Sequence, residues 1–260
     1  MDIEPLIGFL GHLATTASDS IMPHFRAAVN VDNKAGSGFD PVTAADREAE
    51  AAMRRLIRAQ YPDHGIIGEE FGAERETADF VWVLDPIDGT RSFISGVPVW
   101  GILIGLLKEG APLIGMMAQP FTGERFVGDC ARAWYQGPGG EQALATRECR
   151  SIDQATMFTT SPAMLNGTDR VAYDRVEADV RFARYGIDCY AYCMVAAGHA
   201  DVVIETELNA YDIAPLIPII EGAGGQVTNW QGASAAAGGR VVATGDRRLH
   251  DTVLGLLASY

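Results

Sequence analysis

Apolar residues recur along this chain with two different spacings, and the spacings predict a mixture of helices and strands. Helices are predicted over 3–28, in the segment between 46 and 61, and over 168–179, 188–198, 211–220 and 247–257. Short apolar runs predict strands over 66–68, 80–84, 99–107, 112–119, 124–128, 133–135, 156–160, 180–185, 200–204 and 241–244. The closely spaced runs between 99 and 128 favour an antiparallel meander. The chain is therefore predicted to be an α/β protein.

One predicted strand ends in a group of residues that suits a metal ion. The apolar run 80–84 is followed by Asp85-Pro-Ile-Asp88-Gly89-Thr90, with no Lys or Arg inside the motif. Two unit charges about 4 Å apart repel by roughly 4 kcal/mol at an effective dielectric constant near 20, and a divalent cation would remove that cost. Carboxylate oxygens suit Mg²⁺. The alternative for this motif alone is an acidic β-turn.

Two other acidic segments could belong to the same place. Glu69 and its neighbour Glu70 follow the strand 66–68, about fifteen residues before Asp85, so a third carboxylate could return to the motif. Thr43 and Asp46 fit a capping box at the start of the second helix, which by itself makes Asp46 a structural residue. A polar loop over 29–39 contains the isolated Lys34, whose role the sequence leaves open.

Size and charge limit the partners of the chain. Its 260 residues, 48% of them hydrophobic, can form a large core as one unit or as two lobes. We place a lobe boundary near 145, which divides the chain into an N-terminal lobe, 1–145, and a C-terminal lobe, 146–260. The net charge of −14 argues against nucleic acid as a partner.

The sequence also predicts where the protein is found. Its first residues are acidic and contain no secretory pattern, and no apolar run approaches the length of a membrane span. The four cysteines form no C-x-x-C pair. We therefore expect reduced thiols, a cytoplasmic location and no membrane contact.

Taken together, the motifs resemble the inositol monophosphatase family of Mg²⁺-dependent phosphomonoesterases. The matching segments follow one another over nearly the whole chain, at 68–70, 82–90, 211–214 and 221–225. Tyr211 stands where the family often has Trp, a mild departure. The resemblance implies a layered αβαβα sandwich of the inositol monophosphatase and fructose-1,6-bisphosphatase type, usually as a homodimer, acting on a small phosphorylated substrate.

The resemblance also implies a set of metal ligands. Glu69, Asp85 and the carbonyl of Ile87 would hold a first Mg²⁺, and Asp85, Asp88 and Asp212 would hold a second. Glu69 could help to hold a third, weaker ion. Two such ions activate water and stabilise the leaving oxygen of a phosphate ester.

The same resemblance implies catalytic and substrate-binding roles. Asp46 and Thr90, together with Glu69, would be catalytic, because the Thr90 and Asp46 pair would orient the attacking water. The amides of Gly89 and Thr90 would bind phosphate oxygens, and Asp212 would also contact the substrate.

Two other protein classes share parts of this pattern of carboxylates. Haloacid-dehalogenase-type phosphatases have one residue between their two aspartates, whereas two residues separate Asp85 from Asp88 here. A catalytically inactive cation-binding protein would lack a metal carboxylate or the Thr90 and Asp46 pair, and all of these residues are present.

Within the family, three segments resemble the histidinol-phosphate phosphatases of the bacterial and plant type. These segments are 91–96, 98–101 and 186–192. We expect Asp188 and Glu205 to select a cationic substrate, although alone they would be interpreted as a helix N-cap and a solvated strand end. Histidinol phosphate is the predicted substrate, and inositol-1-phosphate is the alternative.

Overall fold

The structure of the protein is a computed structural model that describes residues 3–27, 31–33 and 41–258. Of the loop predicted over 29–39, only the short strand Val31–Asn33 is described. Lys34 lies outside the described residues, so its role stays open.

The described residues contain eight α-helices. They are α1 Glu4–Ile21, α2 Ala44–Gln60, α3 Thr90–Ile94, α4 Gly167–Asp179, α5 Tyr190–Ala196, α6 Ala210–Ile213, α7 Ile217–Gly222 and α8 Arg247–Leu257. The first helix ends at Ile21, before the predicted end at 28. Pro23 comes two residues later and has no backbone N–H group with which to continue the helical hydrogen bonds. The helix predicted from 211 to 220 is in fact two helices, because Pro215 and Pro218 lie within it.

Fifteen strands lie in the same described part of the chain. They are β1 Val31–Asn33, β2 Pro41–Thr43, β3 Gly65–Gly68, β4 Gly72–Glu74, β5 Phe80–Asp88, β6 Gly101–Lys108, β7 Ala111–Gln119, β8 Glu124–Gly128, β9 Ala133–Gly137, β10 Gly140–Ala143, β11 Thr156–Thr159, β12 Phe182–Tyr185, β13 Val202–Leu208, β14 Gln226–Asn229 and β15 Gly239–Thr244. The predicted meander is confirmed as β6, β7 and β8. The strand predicted over 133–135 is confirmed as β9, which lies inside the sheet because β10 pairs along its outer side.

The strands form two large sheets and one small hairpin. The eight-stranded sheet has the order β10-β9-β8-β7-β6-β5-β3-β4, and the five-stranded sheet has the order β12-β11-β13-β15-β14. In the eight-stranded sheet, β3 runs parallel to β5, and all other neighbouring strands of this sheet are antiparallel to each other. The parallel pair brings the ends of β3 and β5 to the same edge, which places Glu69 and Asp85 near each other.

Three apolar layers hold the sheets and helices together. Helices α1 and α2 pack on one face of the eight-stranded sheet. Helices α5 and α7 pack between the two sheets, and α4 and α8 cover the outer face of the five-stranded sheet. The result is the αβαβα sandwich that the family resemblance implies. The strands of the larger sheet end at 143 and those of the smaller begin at 156, but the lobe boundary at 145 stays a prediction.

Two glycines in the larger sheet allow the α6–α7 segment to lie directly against it. A Cβ atom at Gly115 would come within 1.9 Å of the Pro215 carbonyl oxygen, and one at Gly128 within 2.2 Å of the Pro218 carbonyl oxygen. No side chain fits in such a space. These close approaches fix the height of α6, which carries Asp212, above the sheet.

Candidate active site

The end of β5 presents two carboxylates because its backbone leaves the regular sheet there. The pairing with β6 shifts between Asp85 and Asp88, and the amide of Ile87 donates to Asp85 Oδ1 at 3.0 Å. Gly89 follows with a φ of 82°, which glycine adopts without strain, and α3 then begins at Thr90. The strand, the turn and the helix therefore set the direction of both side chains.

Asp212 joins this pair from a distant part of the chain. Each of Asp85, Asp88 and Asp212 has a carboxylate oxygen within 4.8 Å of the others. Asp212 is the third residue of α6, where its Oδ2 accepts from the amide of Asn209 at 2.7 Å. The structure thus brings together three of the predicted metal ligands. The first and the last of them, Asp85 and Asp212, are 127 residues apart in the sequence.

The electrostatics of this cluster favour a bound cation. Burial raises the pKa of Asp85 well above the aspartate range, and the charges of Glu69, Asp88 and Asp212 raise it further. Burial also raises the pKa of Asp88 well above that range and the pKa of Asp212 to about 6. Each carboxylate is costly to ionise beside the others. The donors are hard oxygen atoms, so the residues present fit Mg²⁺.

Glu69 lies next to the cluster in a turn that α2 holds in place. Its amide donates to the Leu84 carbonyl at 3.2 Å, and its charge raises the pKa of both Asp85 and Asp212. The fully buried Glu50 of α2 accepts from the amides of Glu70 at 2.7 Å and Phe71 at 3.2 Å. Sequence reasoning missed Glu50.

Glu50 also forms a buried ion pair. Arg54, four residues later in α2, donates from Nε to Glu50 Oε1 at 2.7 Å. Arg54 also donates to the Gly72 carbonyl and lies 3.6 Å from the Glu74 carboxylate. A Cβ atom at Gly68 would come within 2.1 Å of Glu50 Oε1. A glutamate at the fourth position after Asp46 was the sequence signal that could have found this residue.

The predicted catalytic pair, Asp46 and Thr90, flanks the cluster. The capping box is confirmed, because Asp46 Oδ2 accepts from the Thr43 amide at 2.8 Å and from the Thr43 hydroxyl at 2.6 Å. Burial raises the pKa of Asp46, and the charge of Glu69 raises it further. The Thr90 hydroxyl donates to the Ile87 carbonyl at 3.2 Å. Their joint action on a water molecule stays a prediction.

Asp188 lies beside the turn at Gly89. Its Oδ2 accepts from the Ser92 hydroxyl at 2.6 Å, and a Cβ atom at Gly89 would come within 2.8 Å of that oxygen. The next amide, of Cys189, donates to Asp88 Oδ2 at 2.7 Å. Asp188 is not the helix N-cap that its local sequence alone would suggest, because α5 begins at Tyr190 with Cys189 as its N-cap, and Asp188 has a φ of 43°.

Glu205 is buried in β13 and does not extend into solvent as the end of that strand. Its carboxylate accepts from the Thr160 amide at 2.6 Å, the Thr160 hydroxyl at 3.0 Å and the Thr159 hydroxyl at 3.3 Å. Burial raises the pKa of Glu205 to about 7, and the charge of Asp188 also acts to raise it. Glu205 is therefore not the solvated end of a strand that its local sequence alone would suggest.

The comparisons with known proteins identify the family and the fold of the chain. The model of the inositol monophosphatase family matches residues 2–260. The chain belongs to the inositol monophosphatase family. A solved structure of an inositol monophosphatase from Zymomonas mobilis superposes with a TM-score of 0.89 at 39% identity and covers 99% of each chain. This likeness confirms the predicted fold.

Two curated relatives in this family are phosphatases by name. The chloroplastic bifunctional phosphatase IMPL2 of Arabidopsis thaliana is 42% identical over 253 residues, which cover 93% of this chain and 72% of that protein. A histidinol-phosphatase of Mycobacterium tuberculosis is 34% identical over 93% of this chain and 94% of its own length. As a member of this family, the chain is a phosphoric monoester hydrolase that acts on a small phosphorylated substrate. In the described part of the chain, no helix has the length and apolar character needed to cross a membrane.

Proposed function

We propose that this enzyme hydrolyses L-histidinol phosphate to L-histidinol and phosphate, a step of histidine biosynthesis. The observation that carries the proposal is the position of two carboxylates, the half-buried Asp188 beside the turn at Gly89 and the buried Glu205 of β13. The charge of Asp188 acts on both Asp88 and Glu205. The relative from Mycobacterium tuberculosis is named a histidinol-phosphatase, which supports the same substrate.

The proposed metal ligands are those that the family resemblance implies. Glu69, Asp85 and the Ile87 carbonyl would hold one Mg²⁺, and Asp85, Asp88 and Asp212 would hold a second. Glu69 would also help to hold a third ion. When bound, these ions supply Lewis-acid stabilisation of the phosphate and lower the pKa of water. The convergence of three carboxylates within 4.8 Å supports this set.

The chain itself orients the reacting groups. Asp46 and Thr90 orient the attacking water, with Glu69 beside them. The amides of Gly89 and Thr90 donate to phosphate oxygens, where negative charge develops. The left-handed backbone of Gly89, with no side chain, keeps this approach open. Asp212 contacts the ester side of the substrate.

Asp188 and Glu205 then select the organic part of the substrate. Histidinol phosphate carries an ammonium group and an imidazole, whereas inositol phosphate carries hydroxyls. Hydrogen bonds to charged groups contribute roughly 1.5–3 kcal/mol each. The two carboxylates therefore favour the amino substrate by about tenfold to a hundredfold in kcat/KM.

A second candidate is inositol-1-phosphate. The solved Zymomonas mobilis structure, 39% identical to this chain, is named an inositol monophosphatase. The homodimer, the cytoplasmic location and the division into lobes at 145 are proposals that accompany either substrate.

A phosphate-release assay with Mg²⁺ tests the choice between the two substrates. We expect the enzyme to prefer histidinol phosphate, and the Asp188→Asn and Glu205→Gln variants to lose that preference while keeping their Mg²⁺ dependence. A preference of the unmodified enzyme for inositol-1-phosphate would show that the substrate assignment is wrong and leave the phosphatase activity intact.

A further inference from the structure

Two buried side-chain polar atoms in the described residues have no hydrogen-bond partner. They are the indole nitrogen of Trp100 and the hydroxyl of Tyr192. The Trp100 ring packs against Phe25 and Phe93, in an aromatic cluster. Tyr192 has a different environment, since it belongs to α5, whose first turn touches the acidic cluster. Only 4% of the Tyr192 surface is exposed.

The position of Tyr192 places its hydroxyl among acidic side chains. It lies three residues after Cys189, whose amide donates to Asp88 Oδ2 at 2.7 Å. Helix α5 packs against β13, the strand that carries Glu205. Burial raises the pKa of Tyr192 well above its usual range, and the charges of Glu205, Asp88 and Asp212 raise it further. Helix α5 thus begins at the acidic cluster and packs on the strand that carries Glu205, and the Tyr192 hydroxyl lies within the electrostatic range of both.

The Tyr192 hydroxyl is not among the donors that bind the Glu205 carboxylate. The three donors to Glu205 come from Thr159 and Thr160. A buried hydroxyl with no partner carries the cost of its lost hydration, which a correctly placed ligand group removes. An unpaired polar atom beside carboxylates is suited to a ligand that carries several donors and a positive charge.

We propose that Tyr192 is a specificity-determining residue whose hydroxyl oxygen, together with the Glu205 carboxylate, accepts hydrogen bonds from the ammonium group of an amino-alcohol phosphate. An ammonium group has three donors and no acceptor, so it can satisfy both oxygens at once. A substrate whose organic part carries only hydroxyls lacks the positive charge that this acidic surrounding favours. The inference rests on the proposed function and adds a residue that the substrate preference depends on.

The Tyr192→Phe variant removes this one oxygen and leaves the ring in place. We expect kcat/KM for histidinol phosphate to fall by about tenfold or more, the size of one hydrogen bond to a charged group. We expect kcat/KM for inositol-1-phosphate to change by less than about twofold. The inhibition constant of the product L-histidinol, which has the ammonium but no phosphate, should rise in parallel. The melting temperature without ligand should stay the same or rise, because an unpaired buried hydroxyl is gone.

Tyr190→Phe is the matched control on the same helix. The Tyr190 hydroxyl has a partner, since it donates to Glu124 Oε2 at 2.5 Å. This variant should lower the melting temperature and leave the ratio of the two substrates unchanged. The two tyrosines thus have opposite expected effects on stability and on specificity.

Three results would overturn the assignment of Tyr192. An unchanged kcat/KM for histidinol phosphate would show that the hydroxyl does not contact the substrate. An equal loss with both substrates would move its contact to the phosphate end, and a lower melting temperature with unchanged kinetics would make it structural. If the unmodified enzyme prefers inositol-1-phosphate, the proposed function fails first and the ammonium contact fails with it.

Discussion

Glu50 offers a direct way to test how the site is held together. The Glu50→Gln variant keeps the shape of the side chain but removes the charge and one acceptor oxygen. In the native protein the two oxygens accept from the amides of Glu70 and Phe71 and from Arg54 Nε, at 2.7 to 3.2 Å. With glutamine, at least one of these donors faces an NH₂ group. Arg54 also loses its buried partner.

The expected loss of stability follows from these contacts. Removing one partner of a buried ion pair costs about 3–5 kcal/mol. Arg54 keeps its hydrogen bond to the Gly72 carbonyl and lies 3.6 Å from the Glu74 carboxylate. We therefore expect a loss of unfolding free energy near the lower end of this range. A loss of about 3 kcal/mol corresponds to a melting temperature lower by roughly 6–12 °C for a chain of this size. Denaturant unfolding without metal measures the loss directly.

The functional effect depends on the turn that carries Glu69. Because Glu50 fixes the amides of Glu70 and Phe71, its replacement should displace Glu69 from the acidic cluster. The Mg²⁺ concentration that gives half-maximal phosphate release should rise about tenfold or more, in the range seen when residues that support metal ligands are lost. Saturating Mg²⁺ should restore most of the activity.

Asp201→Asn is the control for a purely structural loss. Asp201 is as buried as Glu50, accepts from the Thr156 amide at 2.7 Å and pairs with Arg147, but it lies just before β13 of the smaller sheet. It should destabilise the protein without changing the Mg²⁺ requirement. If Glu50→Gln behaves in the same way, the positioning of Glu69 by Glu50 is refuted. If Glu50→Gln is as stable as the native protein, the energetic argument fails too.

Three further predictions concern the site and the core. Asp85→Asn should abolish most activity and yet raise the melting temperature of the metal-free protein, because one charge leaves a cluster whose pKa values burial and repulsion have raised; a metal-free variant less stable than the native protein would contradict this. Thr90→Ala and Asp46→Asn should each lower kcat more than about tenfold, as measured at saturating Mg²⁺, and trapping of a phosphorylated Asp85 would refute direct attack by water. Burial lowers the pKa of His250 to about 4. The unfolded chain therefore binds a proton below about pH 6.5 that the folded protein refuses, so His250 by itself lowers the free energy of unfolding by about 2 kcal/mol between pH 7 and pH 5. The raised pKa values of Glu205 and Asp212 act in the opposite direction over the same range. Urea unfolding at the two pH values should therefore show that His250→Gln gains about 2 kcal/mol relative to the native protein on going from pH 7 to pH 5, and an equal pH dependence of the two proteins would contradict this.

The sequence predicts the parts of this site that are local. Asp85, Asp88 and Gly89 follow one apolar run, and a strand end was sufficient to place them together. The convergence of Asp212 came from the family resemblance, because no local pattern links residues so far apart in the chain. Glu50 was missed, and Tyr192 entered only as part of the segment 186–192 with no role of its own, for a different reason. A glutamate or a tyrosine in an amphipathic helix usually faces solvent or fills the core, and only the folded structure shows what each oxygen meets.

The same limit applies to the fold. Long apolar strands such as β5 and β7 were predicted, whereas Gly72–Glu74, Gly140–Ala143 and Gln226–Asn229 are short and contain few apolar residues. Such segments become strands because a neighbouring edge offers hydrogen bonds to them. Their own composition favours turns equally well.

The acidic cluster draws its members from different layers of the sandwich. Asp85 and Asp88 end a strand of the larger sheet, whereas Asp212 lies on a helix packed against that sheet, and Cys189, which donates to Asp88, precedes another helix of the middle layer. A cation bound there joins these layers as a cross-link does, and its removal leaves like charges that push them apart. Amide hydrogen exchange should therefore report the ion well beyond its ligands. Chelation should speed exchange in the middle layer, in α5 and α6, while α4 and α8 on the outer face keep their protection.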